Sequence, residues 1–260
     1  MHRSLALATA ALSAGLLLVG CGSASSPAAS PEPSAALSGT VNVFAAASLK
    51  EAFTKLGQQF QTTHPGVKIV FNFGPSSSLA TQIKEGAPAD VFASASPKNM
   101  GQVVAAGAAS SPKNFASNVM EVAVPTQNPA HITALSDLAK PEVKVALCQS
   151  EAPCGATAAK VFTNAKLTVK PVTQELDVKA VLTKVIRGEV DAGIVYVTDV
   201  RAAGAKVKGI QIPTDLNAST KYPIATLTKA ANKAAAVAFT DYVRSTESAK
   251  VLSADGFAKP

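Results

Sequence analysis

Strand-like and helix-like segments alternate along this chain from residue 40 to its end. Residues 41–49 (Val-Asn-Val-Phe-Ala-Ala-Ala-Ser-Leu) begin with strand-forming residues and lead into a helix whose apolar side chains recur every three or four positions. Similar strand–turn–helix units follow at residues 67–86 and 90–107, and a second series begins at residue 144. Alternation of this kind is typical of mostly parallel sheets with helices on both faces. The sequence therefore predicts an α/β fold, and its two series predict two lobes.

The beginning of the chain has the pattern of an export signal. A positively charged start precedes an apolar run over residues 5–19, which is too short for a comfortable membrane span. The run ends in Gly20-Cys21, and a small residue before a cysteine at this place resembles the signal of bacterial lipoproteins. That resemblance implies cleavage before Cys21 and a lipid on its sulfur and on its new amino group. The alternative is an ordinary signal peptide in which the cysteine has no role.

These features set residues 1–39 apart from the fold. Residues 1–20 are predicted to be the lipoprotein signal peptide. Residues 21–39, which are rich in Ser, Ala and Pro, are predicted to be a flexible tether behind the lipid anchor. We expect the folded part to work outside the cytoplasm, held at the cell membrane by the lipid on Cys21.

The excess of positive charge does not indicate a nucleic-acid partner. The full chain has 24 Lys and Arg against 17 Asp and Glu; removal of residues 1–20 takes away Arg3 and leaves 23 against 17, a net charge of +6. The lysines are scattered, the chain has no Trp, and only 5% of its residues are aromatic. Proteins that bind single-stranded nucleic acids instead combine basic grooves with aromatic stacking platforms. We therefore expect no nucleic acid, although a positive surface would speed up the association of an anionic ligand.

The residue types that enzymes and metal sites need are scarce. The chain lacks a phosphate-binding Gly-x-x-x-x-Gly-Lys-Ser/Thr loop, and its three histidines have no metal-ligand spacing. We therefore expect no metal site, no cofactor and no enzymatic activity. The alternative is an extracytoplasmic enzyme with Cys154 as nucleophile and His131 as its partner, which would need a free thiol. Cys148 and Cys154 are instead predicted to form a local disulfide, because the compartment is oxidising.

What the sequence does supply is a set of neutral hydrogen-bond donors where helices begin. Ser48, the run 76–78, the turn at Cys154 and the junction before Val178 all have this position, and Tyr196 closes a strand. The first turn of a helix has unpaired N–H groups and a partial positive charge, so such places bind anions without a cation. A plainer interpretation also exists for these residues, in which the serines only cap helices and Tyr196 fills the core.

Several blocks of sequence carry a resemblance to a known family. They are residues 43–49 (Val-Phe-Ala-Ala-Ala-Ser-Leu), 76–80 (Ser-Ser-Ser-Leu-Ala), 86–95 (Gly-Ala-Pro-Ala-Asp-Val-Phe-Ala-Ser-Ala), 192–199 (Ala-Gly-Ile-Val-Tyr-Val-Thr-Asp) and 256–257 (Gly-Phe). Together they resemble the periplasmic molybdate-binding proteins of ABC transporters, within the type II periplasmic binding proteins. The resemblance implies two α/β lobes joined by two crossing segments. Lobe I would comprise residues 40–119 and 224–260, and lobe II residues 120–223.

The resemblance also implies an oxyanion, molybdate or tungstate, bound whole in the cleft between the lobes. Carried over by motif, the donors would be Ser48, Ser76, the backbone N–H groups of Cys154 and Val178, and the hydroxyl of Tyr196. Ser77 is a secondary candidate. The sequence departs from the family pattern at Cys154, where a small residue such as alanine is common, and at Pro75, which has no N–H group of its own.

Transport is the activity that the resemblance implies, with delivery of the oxyanion to an ABC permease in the membrane, and we expect a monomer. The runner-up is a carrier of sulfate or another tetrahedral oxyanion, which would differ in the size of its cavity. A ferric iron carrier would need clustered tyrosines, and Tyr222 and Tyr242 are predicted to lie outside the cleft. A lipoprotein that senses a ligand without transporting it is a further alternative.

Overall fold

The structure, a computed structural model, describes residues 36–260, and its strands and helices alternate as the sequence predicts. The strands are β1 (Gly39–Ala46), β2 (Val67–Gly74), β3 (Val91–Ala93), β4 (Lys113–Pro125), β5 (Val145–Cys148), β6 (Thr173–Glu175), β7 (Ala192–Tyr196), β8 (Val207–Gln211) and β9 (Ser219–Thr226). The helices are α1 (Lys50–Thr63), α2 (Ser76–Lys84), α3 (Pro97–Ala105), α4 (Pro153–Ala165), α5 (Val178–Ile186), α6 (Val197–Ala203), α7 (Lys233–Val243) and α8 (Thr246–Ala254). The predicted α/β class is confirmed.

The strands form one mixed sheet in the order β2-β1-β3-β9-β4-β7-β5-β6, and β8 pairs with β4 beside this path. Strand β1 is parallel to both of its neighbours, and so is β5. Strands β4 and β9 run antiparallel to all of their partners. Each half of the sheet is thus parallel around β1 and β5, as predicted, and the antiparallel pairs all involve β4 or β9. The reason is that β4 leaves the first half of the sheet and β9 returns to it, so the two run in opposite directions.

These two strands are the crossing segments that the resemblance implies. The 13-residue β4 pairs with β9 over its first half and with β7 and β8 over its second half. Buried apolar residues between 120 and 212 form one cluster, and those within 41–116 and 222–257 form two others. The lobe limits at 119/120 and 223/224 stay a prediction.

The folded part begins slightly before the predicted end of the tether. Gly39, which was assigned to the tether, is the first residue of β1, and its N–H donates to the carbonyl of Gly66 at 2.8 Å. The carbonyl of Ser38 accepts a hydrogen bond from Asn232 Nδ2 at 2.7 Å. Because these contacts tie residues 38 and 39 to the fold, the tether prediction is wrong for them.

The predicted signal peptide, Cys21 and the tether as far as residue 35 lie outside the described residues. Within residues 36–260, none of the helices combines the length and the apolar composition that crossing a membrane requires.

Candidate functional site

One small cavity lies at the carboxyl ends of the parallel strands, where ligands of α/β sheets bind. Its walls are the turns in which β1, β2, β5, β6 and β7 give way to the next helix. All five residues that were predicted to bind an oxyanion line this cavity: Ser48, Ser76, Cys154, Val178 and Tyr196. The cavity has a volume of about 20 Å³, whereas one water molecule needs roughly 10–15 Å³. The cavity therefore suits one small ligand.

Ser48 is buried, but it does not cap a helix as its position in the sequence suggested. It lies in a 3-10 turn, Ala47–Leu49, that runs directly into α1, and no side chain caps either element. Its Oγ instead lies 2.9 Å from the hydroxyl of Tyr222. This contact holds the Ser48 side chain beside the cavity.

Ser76 is the first residue of α2, and its Oγ atom already takes part in one hydrogen bond. Its Oγ accepts a hydrogen bond from the backbone N–H of Ala95 at 3.0 Å. With an acceptor position of the oxygen used in this way, the hydroxyl proton is left to point elsewhere. The N-cap residue Pro75 has no side chain that could satisfy the first N–H groups of α2, so the start of this helix keeps its donors free.

Ser77 takes a different place from Ser76. It borders a wider polar groove next to the cavity, together with Lys98 and Gln149, and is not part of the cavity wall. Successive residues of a helix point about 100° apart, since 3.6 residues make one turn. The side chain of Ser77 therefore leaves the cavity that Ser76 borders, and the structure gives Ser77 no role there.

Cys154 is the second residue of α4 and offers the cavity a backbone N–H group. Its sulfur is bonded to that of Cys148 at the end of β5, with the two Cα atoms 5.8 Å apart. The predicted disulfide is thus present in the structure. Because the sulfur is bonded, the alternative of a Cys154 nucleophile has no free thiol on which to rest.

Reduction of this disulfide is expected to lower the free energy of unfolding by about 2 kcal/mol, the low end of the usual range, because the closed loop is short. Urea unfolding with and without reductant measures the change. A variant with both Cys148→Ser and Cys154→Ser should unfold at about the same urea concentration as the reduced wild type, and the reductant should not change that concentration. Identical unfolding midpoints for the oxidised and the reduced wild type would contradict the expectation.

Val178 is the first residue of α5, and the residue that caps this helix does not bind its N–H group. Asp177 caps this helix, and its Oδ1 accepts hydrogen bonds from the N–H groups of Lys179 at 2.8 Å and Ala180 at 3.0 Å. The N–H of Val178 is not among the groups that Asp177 satisfies. The carboxylate that borders the cavity is therefore held by backbone donors.

Tyr196 ends β7 and is 1% exposed. Its hydroxyl has no hydrogen-bond partner within the described part of the chain. Burial raises the pKa of this phenol well above its usual value of 10, so it stays protonated. A buried O–H group without a partner is unfavourable, and a ligand that accepts hydrogen bonds would relieve it. Tyr196 is thus both a core residue and a donor to the cavity.

Asp199 is a fully buried carboxylate behind the cavity wall, where it is paired with the partly buried Lys179. Asp199 Oδ2 accepts a hydrogen bond from the N–H of Tyr196 at 3.1 Å. Lys179 Nζ lies 3.0 Å from Asp199 Oδ1, off the hydrogen-bonding direction, and 2.8 Å from Glu51 Oε2. Burial raises the pKa of Asp199 to about 6, against the lowering effect of Lys179. Burial also lowers the pKa of Lys179, but Asp199 and Glu51 outweigh it and raise that pKa overall.

The result is a site whose donors are neutral; the charged side chain in its wall, Asp177, accepts hydrogen bonds from backbone N–H groups of α5. Neither Lys179 nor Asp199 lines the cavity. Within residues 36–260, no group of three or more His, Cys, Asp or Glu side chains could hold a metal ion. The arrangement can receive a small anion as a hydrogen-bond acceptor, with no cation beside it.

Tyr222 is the residue that sequence reasoning missed. It was predicted to lie outside the cleft, but its hydroxyl reaches Ser48 from β9. The prediction was wrong because no local pattern shows that β9 inserts between β3 and β4. A tyrosine in a strand is equally typical of an ordinary core residue.

Comparison with known proteins decides the family. The sequence profile described as bacterial extracellular solute-binding protein matches residues 41–258. The chain belongs to this family. Among its relatives, the molybdate-binding protein ModA of Mycobacterium tuberculosis is 41% identical over 261 residues, which cover 99% of this chain and 100% of that protein. The molybdate-binding protein ModA of Haemophilus influenzae is 32% identical and covers 86% of this chain and 91% of its own.

A solved structure agrees with the fold. The periplasmic molybdate-binding protein of Azotobacter vinelandii has a TM-score of 0.76 at 22% identity and covers 85% of this chain and 99% of its own. The family resemblance drawn from the sequence blocks is therefore confirmed. Membership in a family of solute-binding proteins likewise confirms the prediction of a binding protein rather than an enzyme.

Proposed function

We propose that this solute-binding protein captures molybdate or tungstate in the cavity and delivers it to an ABC permease. The observation that carries the proposal is the convergence of five neutral donors on one small space. The identity to molybdate-binding relatives supports the choice of ligand. No resident cofactor is part of the proposal, because the oxyanion is the cargo.

The chemistry of the donors suits a tetrahedral dianion that is fully deprotonated at neutral pH. Such an ion accepts hydrogen bonds and donates none. A lysine buried in the ligand-free cavity would be unpaired and unfavourable, whereas N–H and O–H groups meet the charge without it. Each hydrogen bond to a charged group contributes about 1.5–3 kcal/mol. Five of them, less the losses of association, are compatible with the roughly 8 kcal/mol that micromolar affinity requires.

Size would separate molybdate and tungstate from sulfate. Metal–oxygen bonds are longer than sulfur–oxygen bonds, so donors spaced for the larger ions would hold sulfate through stretched hydrogen bonds. Sulfate, the runner-up, would need the same donors around a smaller centre.

Delivery would take place at the outer face of the cell membrane. The lipid proposed on Cys21 would hold the protein there as a monomer, and residues 22–35 would give it reach. Closure of the two lobes on the ligand would present a new surface to the permease, which is the usual kind of domain closure around a bound ligand.

Isothermal titration of the chain from residue 22 with molybdate, tungstate, sulfate and phosphate tests the proposal. We expect tight and nearly equal binding of molybdate and tungstate, with sulfate and phosphate much weaker. Tight binding of sulfate would move the assignment to the runner-up. Failure of all four ions to bind would overturn it.

Ser48→Ala is expected to weaken molybdate binding at least tenfold, because it removes a hydrogen bond to a charged group. The structure also predicts a loss of about 1 kcal/mol in the free energy of unfolding, since the hydroxyl of Tyr222 loses its partner. Ser77→Ala is the matched control and should leave both quantities unchanged, because Ser77 borders the neighbouring groove. Equal effects of the two substitutions would remove Ser48 from the site.

A further inference from the structure

The hydroxyl of Tyr222 is hydrogen-bonded to Ser48, which lines the cavity. Tyr222 is 0% exposed, with its ring between those of Phe115 and Phe257 at centroid distances of 6.3 and 5.3 Å. Its oxygen lies 2.9 Å from Ser48 Oγ. Neither side chain carries charge, because burial raises the pKa of Tyr222 above its usual range and its proton is therefore retained.

Two arrangements of the protons are compatible with this hydrogen bond. If Ser48 donates to Tyr222, the phenol proton is buried with no acceptor among the described residues. If Tyr222 donates to Ser48, the phenol proton is used and the Ser48 proton is left to face the cavity, where a ligand or a water molecule can accept it. The second arrangement is favoured, because a buried donor without a partner costs free energy.

We propose that Tyr222 is a positioning residue that fixes Ser48 as a hydrogen-bond donor toward the cavity. This inference rests on the proposed function. It adds to that function by naming the residue that determines which anions Ser48 prefers. Ser76 is held in the same sense by another means, since its oxygen accepts from the N–H of Ala95. A ligand oxygen at either serine must then present a lone pair. An oxyanion that carries a proton is matched less well, because each serine already uses one of its two acceptor positions and the proton of its own hydroxyl is what it offers to the ligand.

Removal of the Tyr222 hydroxyl would free Ser48 to donate or to accept. Tyr222→Phe keeps the ring packing and is expected to fold. We expect it to weaken molybdate binding threefold to tenfold, because Ser48 is no longer oriented. Phosphate carries a proton at neutral pH and sulfate does not, and the two are of similar size. In competition with molybdate, the ratio of phosphate affinity to sulfate affinity should therefore be at least threefold higher in the variant than in the wild type.

A double-mutant cycle with Ser48→Ala isolates the effect, since it measures whether two residues act through each other. In the Ser48→Ala background, Tyr222→Phe should change molybdate affinity by less than twofold. The control is Tyr242→Phe, which removes another tyrosine hydroxyl, 2.9 Å from Gln59 Oε1 and outside the cavity wall. It should leave the affinities for all three anions as in the wild type.

The outcomes separate this proposal from the function on which it rests. Tyr222→Phe could lower molybdate affinity equally with and without the Ser48 hydroxyl, or raise the affinities for phosphate and sulfate equally. Either result would mean that the substitution disturbs the whole site, and would overturn the proposal. Unchanged affinity for molybdate in Tyr222→Phe would overturn it as well. If the wild type binds sulfate rather than molybdate, the same cycle is run with sulfate. If the wild type binds neither, the proposed function fails first and this proposal fails with it.

Discussion

Tyr196→Phe is expected to weaken molybdate binding by about 10- to 150-fold and yet leave the ligand-free protein at least as stable as the wild type. The loss of affinity corresponds to one hydrogen bond to a charged group, about 1.5–3 kcal/mol. The stability follows from the ligand-free structure, in which this hydroxyl is buried and has no partner among the described residues. Removing it takes away an unsatisfied group and keeps the ring in place.

The opposite signs of these two effects make the prediction specific. Titration calorimetry gives the change in Kd, and thermal unfolding without ligand gives the change in stability. Tyr242→Phe serves as the control, because its hydroxyl already has Gln59 as a partner. A Tyr196→Phe variant that loses stability without ligand and keeps its affinity would show that this hydroxyl serves the fold alone.

The pH dependence of binding follows from the same burial. Burial raises the pKa of Tyr196 well above 10, so the phenol keeps its proton on both sides of neutral pH. Cys154 and Val178 contribute N–H groups that do not titrate. A site of this kind has no donor that would be lost between about pH 6 and 9.

The positions of the donors could be predicted because each depends on a local pattern. Asp177 before an apolar helix predicts a cap, and this cap does not bind the N–H group of Val178. A proline before Cys154 predicts the first turn of a helix. Such signals need only a few neighbouring residues and identify the starts of the helices. That these residues share one cavity was implied by the family resemblance, not by the local patterns.

What holds these donors in place could not be predicted in the same way. Ser48 and Tyr222 are 174 residues apart in the chain, and they meet because β9 lies next to β3 in the sheet. The direction of β4 and β9 has the same origin, since strand propensity does not say which way a strand runs. Ser48 itself looked like a helix cap, because a serine before a helix has that role more often than any other.

Gly155→Ala is expected to lower the free energy of unfolding by about 1–3 kcal/mol or more, which is the range for an overpacked core. Gly155 is the third residue of α4, where the helix passes over the end of β5. A Cβ atom there would overlap the carbonyl oxygen of Gln149 and would lie 2.7 Å from that of Cys148. Both obstacles are backbone atoms next to the disulfide, so they cannot move aside as a flexible side chain would.

The same substitution is expected to weaken molybdate binding at least tenfold, because relief of the overlap moves the start of α4 and with it the N–H of Cys154. Gly101→Ala is the matched control: Gly101 also lies in a helix, α3, and its Cβ would meet nothing within 4 Å. An alanine there should raise stability by up to about 1 kcal/mol and leave binding unchanged. If Gly155→Ala unfolds more easily yet binds molybdate as the wild type does, α4 contributes to the fold but not to the site, and the cavity has one donor fewer than proposed. If both quantities fall together, the close approach of α4 to β5 is what places the Cys154 donor.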